Sequence, residues 1–205
     1  MRIIGITGPT GSGKTRLTEK ISALGIPTVN ADELYHSMLV PPSACLDAIR
    51  SQFGDEVFCG DGTLDRALLS KVVFSDKQKL ELLNKTVLDI VISEMRRIIS
   101  TLERNGNSTV AIDAPTLIES GFHKECDTVI SVISAPELRA KRISERDSIT
   151  PRKALERIKA QKDDAFYVDN SDVTIYNNNS TEEFEFKIDT LISELNLNNG
   201  KERKQ

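Results

Sequence analysis

The stretch Gly8-Pro9-Thr10-Gly11-Ser12-Gly13-Lys14-Thr15 directly follows the apolar run Ile3-Ile4-Gly5-Ile6. It fills GxxxxGK[ST] completely, with Gly8, Gly13, Lys14 and Thr15 at the fixed positions. The flanks suit the motif: Arg2–Thr7 reads as a buried strand, and Lys14–Leu24 as a helix with Leu17, Ile21 and Leu24 on one face. A loop of this kind turns its backbone N–H groups inward around phosphate oxygens. Glycine allows the required backbone angles and the close approach. Lys14 neutralises charge on the β- and γ-phosphates, the Thr15 hydroxyl ligates Mg²⁺, and the helix N-terminus adds partial positive charge. Gly8, Gly11, Ser12, Gly13, Lys14 and Thr15 are therefore candidate nucleotide-binding residues. The loop alone does not choose among GTPases, motor ATPases and kinases.

The rest of the chain says what surrounds the loop. Short apolar runs at Ile26–Asn30, Thr109–Asp113, Asp127–Ile133 and Asp172–Tyr176 read as four more strands, alternating with helical segments. Five such strands imply an α/β phosphate-binding-loop (P-loop) nucleoside-triphosphate fold, a five-stranded parallel sheet flanked by helices. Ligands of such sheets bind beyond the carboxyl ends of the strands. Residues 41–105 break the alternation. They carry helical patterns at Ser43–Phe53 and Leu64–Phe74, then a long helix to about Arg104 that Ser75 and Gln78 would open as a capping box. Ser134-Ala135-Pro136-Glu137 offers a cap and a first-turn proline to a later helix, and Thr150-Pro151 does the same. The expected organisation is a nucleotide-binding core of residues 1–40 and 106–195, with a lid at about 139–163. A helical acceptor-binding subdomain would span 41–105, and a disordered tail 196–205.

Of the 205 residues, 39% are apolar and 28% charged, and the net charge is −4. That composition fits a folded protein and gives no general basic excess for nucleic acid or a membrane surface. No apolar run approaches the roughly 18 residues a bilayer span requires. Cys45, Cys59 and Cys126 are odd in number and widely spaced, as expected of reduced packing thiols in a cytoplasmic protein. His36 and His123 lack partners at ligand spacing and are assigned no metal.

Other residues must supply the chemistry. Asp113 ends an apolar strand, where an aspartate holds Mg²⁺ directly or through water. Asp32 follows the second strand, and its position fits two uses equally: a helix-capping or first-turn acid, or a base taking a proton from a substrate hydroxyl. Arg139, Lys141, Arg142, Arg146 and Arg152 crowd one helix and the turn after it, most of them read as solvated face charges. Arg142 and Arg146, four apart, lie on one face and suit a lid closing over a triphosphate.

These segments, taken in order, resemble the dephospho-coenzyme A kinase family over about residues 2–178. The resemblance rests on Ile6-Thr7-Gly8 through Thr15, Asn30-Ala31-Asp32, Phe53-Gly54 and Asp61-Gly62-Thr63-Leu64-Asp65-Arg66. It continues through Val73-Phe74, Asp113-Ala114-Pro115-Thr116-Leu117-Ile118-Glu119 and Arg142-Ile143-Ser144-Glu145-Arg146-Asp147. It closes with Arg157-Ile158-Lys159-Ala160-Gln161 and Asp172-Val173-Thr174-Ile175-Tyr176-Asn177. The family moves the γ-phosphoryl of ATP to the ribose 3′-hydroxyl of dephospho-CoA, the last step of coenzyme A synthesis, so the resemblance implies ATP, Mg²⁺ and dephospho-CoA as partners.

It also implies roles. Asp32 matches the acid facing the acceptor hydroxyl, and Lys14 and Arg142 complete the catalytic set. Arg142 and Arg146 match lid arginines at the ATP phosphates, and Asn177 an asparagine near the adenine. Arg66 would meet acceptor phosphates, while Asp65 either joins it or only caps a helix. The chain departs from the family at Asn30 (often aspartate), at Val87-Leu88 (usually His-Pro) and at Pro41-Pro42 (often Pro-Gly). Two other readings fit the ATP side: a kinase for another small hydroxyl acceptor, such as a nucleoside or nucleotide, and a non-catalytic nucleotide-binding relative.

Overall fold

The computed structural model describes residues 1–197 and divides into two units. The first runs from Met1 to Val29 and from Leu102 onward; the second is Asn30–Thr101.

The first unit is built on a five-stranded parallel sheet flanked by helices. Its strands are β1 (Arg2–Thr7), β2 (Thr28–Asn30), β3 (Thr109–Asp113), β4 (Thr128–Ile133) and β5 (Val173–Tyr176), ordered β2-β3-β1-β4-β5. A parallel sheet covered on both faces wants continuous apolar strands rather than alternation. β4 obeys along its whole length, TVISVI, every residue buried. β1 lies in the middle, with Ile6 in register with Asp113 of β3 and with Ile130 of β4. The chain leaves β1 for β2 at one edge, comes back to β3 beside β1, and then crosses to β4 on the other side. The loop after β1 therefore sits where the strand order reverses, the crevice in which such sheets bind ligands.

Helices α1 (Lys14–Ala23) and α9 (Thr181–Glu194) close one side of the sheet. Leu17 and Ile21 of α1 and Phe184, Ile188 and Leu191 of α9 share a buried cluster with Ile4, Ile6 and Ile130. Leu197 joins it at 4% exposure, so a tail beginning at 196 starts too early; residues 198–205 lie outside the described residues.

Beyond β4 come α6 (Pro136–Asp147), α7 (Pro151–Lys159) and α8 (Asp164–Asp169). The last has no counterpart in the sequence reading. With six residues it is too short to show a period, and its start is marked only by Asp163, whose carboxylate accepts from the Phe166 N–H at 3.0 Å. α6 differs from expectation at its start. Its N-cap is Ala135, with no side-chain cap. The Ser134 hydroxyl instead donates to the Asn177 carbonyl at 2.7 Å.

The second unit contains α2 (Ala31–Ser37), α3 (Ala44–Phe53), α4 (Arg66–Phe74) and most of α5 (Lys77–Arg104). Cys45, Ile49, Phe53, Val57, Leu69 and Val73 are its buried centre, with Leu80, Leu83, Val87 and Ile90 of α5 packed against them. Val87, where the family usually has His, is thus a packing residue. The helix starts are set by short polar side chains: Ser43 caps α3, and Asp65 caps α4 by accepting from the Leu68 N–H at 2.9 Å.

α5 is not opened by Ser75 as its spacing with Gln78 suggested. Asp76 stands one residue closer, and its Oδ1 accepts from Gln78 N–H at 2.9 Å and Lys79 N–H at 3.3 Å. Ser75 Oγ turns back to donate to the Val72 carbonyl and closes α4. Asp76→Ala should lower stability by about 1 kcal/mol, whereas Ser75→Ala should stay within about 0.5 kcal/mol of wild type. Urea unfolding of both variants checks the order, and a larger loss from Ser75→Ala would reverse the assignment.

Candidate active site

The loop after β1 has the geometry its glycines foretold. Gly8, Gly11 and Gly13 take φ of 135°, 77° and 106°, angles that L side chains rarely adopt. A Cβ on Gly8 would stand 2.2 Å from the Val132 carbonyl oxygen, and one on Gly13 2.4 Å from Asn177 Nδ2. Two of the fixed positions are thus constrained both by angle and by space.

α1 begins at Lys14 with Gly13 as N-cap, no side-chain cap and no acid in its first turn. The N-terminal end of this helix carries no competing side chain, and its dipole favours an anion there. Lys14 Nζ donates to the Gly8 carbonyl at 2.7 Å, which lays the ammonium across the loop. Ser12 is fully buried, and its Oγ has no hydrogen-bond partner. Thr15 is exposed in the first turn of α1.

The outer side of the loop is held by side chains. Asn177, just past β5 and 8% exposed, donates from Nδ2 to the Ser12 carbonyl at 2.8 Å. Arg142 of α6 donates from Nη1 to the Gly11 carbonyl at 3.2 Å and to Ser134 Oγ at 3.0 Å. Its Nη2 lies 3.2 Å from the Asn177 carbonyl oxygen and the same from Asn177 Oδ1. Burial pushes this guanidinium below its ordinary range. Arg142 and Asn177 are thus brought together under the loop. Arg146, one turn further along α6, is exposed and pairs with Asp147 at 2.7 Å; Arg157 of α7 pairs with the same carboxylate. The two arginines expected to act together therefore occupy different surroundings.

Asp113 is 6% exposed at the end of β3. Its Oδ2 accepts from the Thr18 hydroxyl at 3.2 Å, one turn after Thr15 on α1. Thr18 was not singled out in the sequence; the signal is its place three residues after the motif threonine, on the same face of α1.

Arg139 corrects an expectation. It was counted among solvated charges, yet it is 2% exposed. Its Nε donates to the Thr10 carbonyl at 3.0 Å and its Nη2 to Gln161 Oε1 at 2.9 Å, with Asp164 3.5 Å from Nη1. Burial lowers its pKa, partly offset by Asp164. The overlooked signal is its spacing: Arg139 lies four residues before buried Ile143 and beside buried Ala140, on the inward face of α6. Gln161 and Glu119 both line a cleft of about 420 Å³, shared with Thr116, Lys162 and Tyr167. Burial there pushes the Tyr167 hydroxyl up to about 12.

In the second unit, Asn30 caps α2. Its Oδ1 accepts from Asp32 N–H at 3.0 Å and Glu33 N–H at 3.1 Å. The capping alternative for Asp32 is therefore taken by its neighbour, and Asp32 is an exposed first-turn acid. His36 Nδ1 donates to the Asp32 carbonyl at 2.7 Å. Asp65 is an N-cap, and Arg66, the first residue of α4, is exposed. Among the described residues no three His, Cys, Asp or Glu side chains gather as a metal site, and no helix is long and apolar enough to cross a membrane.

The sequence profile of the family CoaE, dephospho-CoA kinase, matches residues 2–183. The dephospho-CoA kinase of Listeria monocytogenes strain EGD-e is 35% identical over 191 residues, covering 93% of this chain and 96% of that protein. Among solved structures, TT1252 from Thermus thermophilus is similar with a TM-score of 0.76 at 27% identity, over 95% of this chain and 97% of that one. A dephospho-CoA kinase from Campylobacter jejuni, at 24% identity, shares the fold with a TM-score of 0.70 over 95% and 98% of the two chains. With a matching profile over most of its length and a relative above 30% identity across nearly all of it, the chain belongs to the dephospho-CoA kinase family.

Proposed function

We propose that this chain transfers the γ-phosphoryl group of ATP to the ribose 3′-hydroxyl of dephospho-CoA, giving coenzyme A and ADP, as a cytoplasmic enzyme on small-molecule substrates. The observation that carries the reading is the phosphate cradle. Three left-handed glycines precede a helix whose N-terminus has no side-chain cap, in a chain of this family.

The proposed division of labour follows from what each side chain does locally. The loop residues Gly8, Gly11, Ser12, Gly13, Lys14 and Thr15 surround the triphosphate, most of them through backbone N–H groups. Lys14 supplies the mobile positive charge at the phosphates. Arg142 and Asn177 brace the loop from its outer side through its carbonyls, and Arg142 adds fixed positive charge behind the phosphates. Arg146, on the exposed end of α6, is the lid arginine, released from Asp147 when the triphosphate offers a denser negative partner.

The donor set suits Mg²⁺, which takes few protein oxygens and keeps waters and phosphates as its other ligands. Thr15 offers a hydroxyl, and Asp113 a carboxylate oriented by Thr18. Bound there, the ion would offset charge on the β- and γ-phosphates. Asp113 would also line the acceptor side of the transfer.

Asp32 is the base that orients the acceptor hydroxyl and takes its proton. Support for this role is that Asn30, not Asp32, caps α2, which leaves the Asp32 carboxylate exposed. Arg66 meets acceptor phosphates. Asp65 acts through it, fixing the start of α4 by its cap. Residues 41–105 form the acceptor-binding part. Of the expected lid at 139–163, the part that closes is the stretch carrying exposed Arg146, since Arg139, Arg142 and Gln161 are bonded to the loop itself. The protein's contribution is positioning and charge stabilisation, with little covalent work.

Three measurements check this. In a coupled ADP-release assay, dephospho-CoA should stimulate turnover well above adenosine, CMP or water; equal stimulation by CMP would move the acceptor to another class. Lys14→Ala should weaken MgADP binding by about tenfold or more and reduce the rate as well. Asp32→Asn should lower kcat by about 100-fold or more with MgADP affinity within about twofold of wild type. Near-normal turnover in that variant removes Asp32 from the base role.

A further inference from the structure

The phosphate loop has a mechanical difficulty. Glycine has the largest backbone freedom to lose on ordering, and three of the six residues from Gly8 to Gly13 are left-handed glycines. Loop N–H groups bind phosphate well only if they already point inward, so something must hold the peptide planes. Lys14 reaches the Gly8 carbonyl, while Arg142 and Asn177 hold the carbonyls of Gly11 and Ser12. Thr10 lies between these two groups of tethers.

Both backbone polar groups of Thr10 are held by residues outside the loop. Its carbonyl accepts from Arg139 Nε at 3.0 Å, and its N–H donates to Gln161 Oε1 at 3.1 Å. The same amide oxygen accepts from Arg139 Nη2 at 2.9 Å, so the two side chains close a ring on one residue. A guanidinium 2% exposed is costly to bury, and its ion-pair partner Asp164 is 3.5 Å away and 42% exposed. An apolar side chain would fill this place on α6 at less cost. The arginine makes physical sense through its hydrogen bonds, and one of them ends on the phosphate loop.

We infer that Arg139 and Gln161 are positioning residues that clamp Thr10 and thereby fix the phosphate loop in its nucleotide-ready shape. The inference rests on the loop being the nucleotide site. Neither side chain touches the reacting atoms; both act through Thr10 on the backbone of the loop that follows it. Removing the clamp therefore weakens nucleotide binding and leaves the acceptor site alone.

Gln161 is the better probe, because it is only half-buried and its truncation leaves Arg139 packed. In the full chain, Gln161→Ala should raise the MgADP dissociation constant and the KM for ATP by about tenfold, the worth of one or two hydrogen bonds. The KM for dephospho-CoA should stay within about twofold, and the thermal midpoint of the nucleotide-free protein within a few degrees. Gln161→Glu keeps an acceptor oxygen at the same reach and should restore most of the affinity. Arg139→Lys, which keeps the charge but loses the fork, should resemble Gln161→Ala.

MgADP affinity of Gln161→Ala within about twofold of wild type would overturn the clamp, and so would a loss that fell equally on both substrates. Failure of Gln161→Glu to recover affinity would do the same. Lys14→Ala is measured alongside. If it too binds MgADP like wild type, the nucleotide reading of the loop fails and the clamp fails with it. If only Gln161→Ala is silent, the clamp alone is wrong.

Discussion

A phosphate loop is a backbone turned inside out: its N–H groups must face the ligand, so its carbonyls must face the protein. Every exposed or buried carbonyl on that outer side needs a donor, and a glycine-rich segment has no side chains of its own to give. In this chain the donors arrive from elsewhere. Lys14 comes from α1, Arg139 and Arg142 from α6, and Asn177 from the end of β5. The loop's shape is therefore a property of the sheet and α6 together, and the motif residues are only its visible part.

The same sheet brings the other chemistry to the loop by register. Ile6 of β1 stands opposite Asp113 of β3, so the carboxylate and the start of the loop leave the sheet at the same height. α1 then returns along the sheet with Thr15 in its first turn and Thr18 in its second, and Thr18 holds the Asp113 carboxylate. One short helix thus carries the end of the loop, the Thr15 hydroxyl and the group that orients the acid.

The parts legible in the sequence were those fixed by local chemistry. The four motif positions specify the loop because glycine alone accepts those angles, and the apolar runs of β1 and β4 specify strands buried on both faces. Helix starts were harder, since neighbouring polar residues compete for the same N–H groups: Asp76 displaced Ser75, and Ala135 left Ser134 for a tertiary bond. For Asp32 the sequence allowed a capping or first-turn acid beside a base, and the local geometry removes only capping, because Asn30 has it; Asp32 stands in the first turn of α2. Arg139 was misread because a charged residue on a helix is normally solvated. Only the tertiary structure shows the Thr10 carbonyl and the Gln161 amide oxygen that take its donors.

The three arginines of α6 make the general point. Arg139, Arg142 and Arg146 recur at three- and four-residue spacing, which for a helix places them on neighbouring positions of one side. Along that side the surroundings change from core, to the edge of the loop, to solvent. The same guanidinium accordingly serves as a buried tether, as a half-buried brace for loop carbonyls, and as an exposed cation held by Asp147. The first two spend their donors on fixed protein oxygens, so moving them would break the loop. The third is held by a carboxylate alone, in water, where an ion pair is worth little. A carboxylate partner in water is given up more readily than fixed loop carbonyls, so of the three arginines Arg146 is the one least tied to its place.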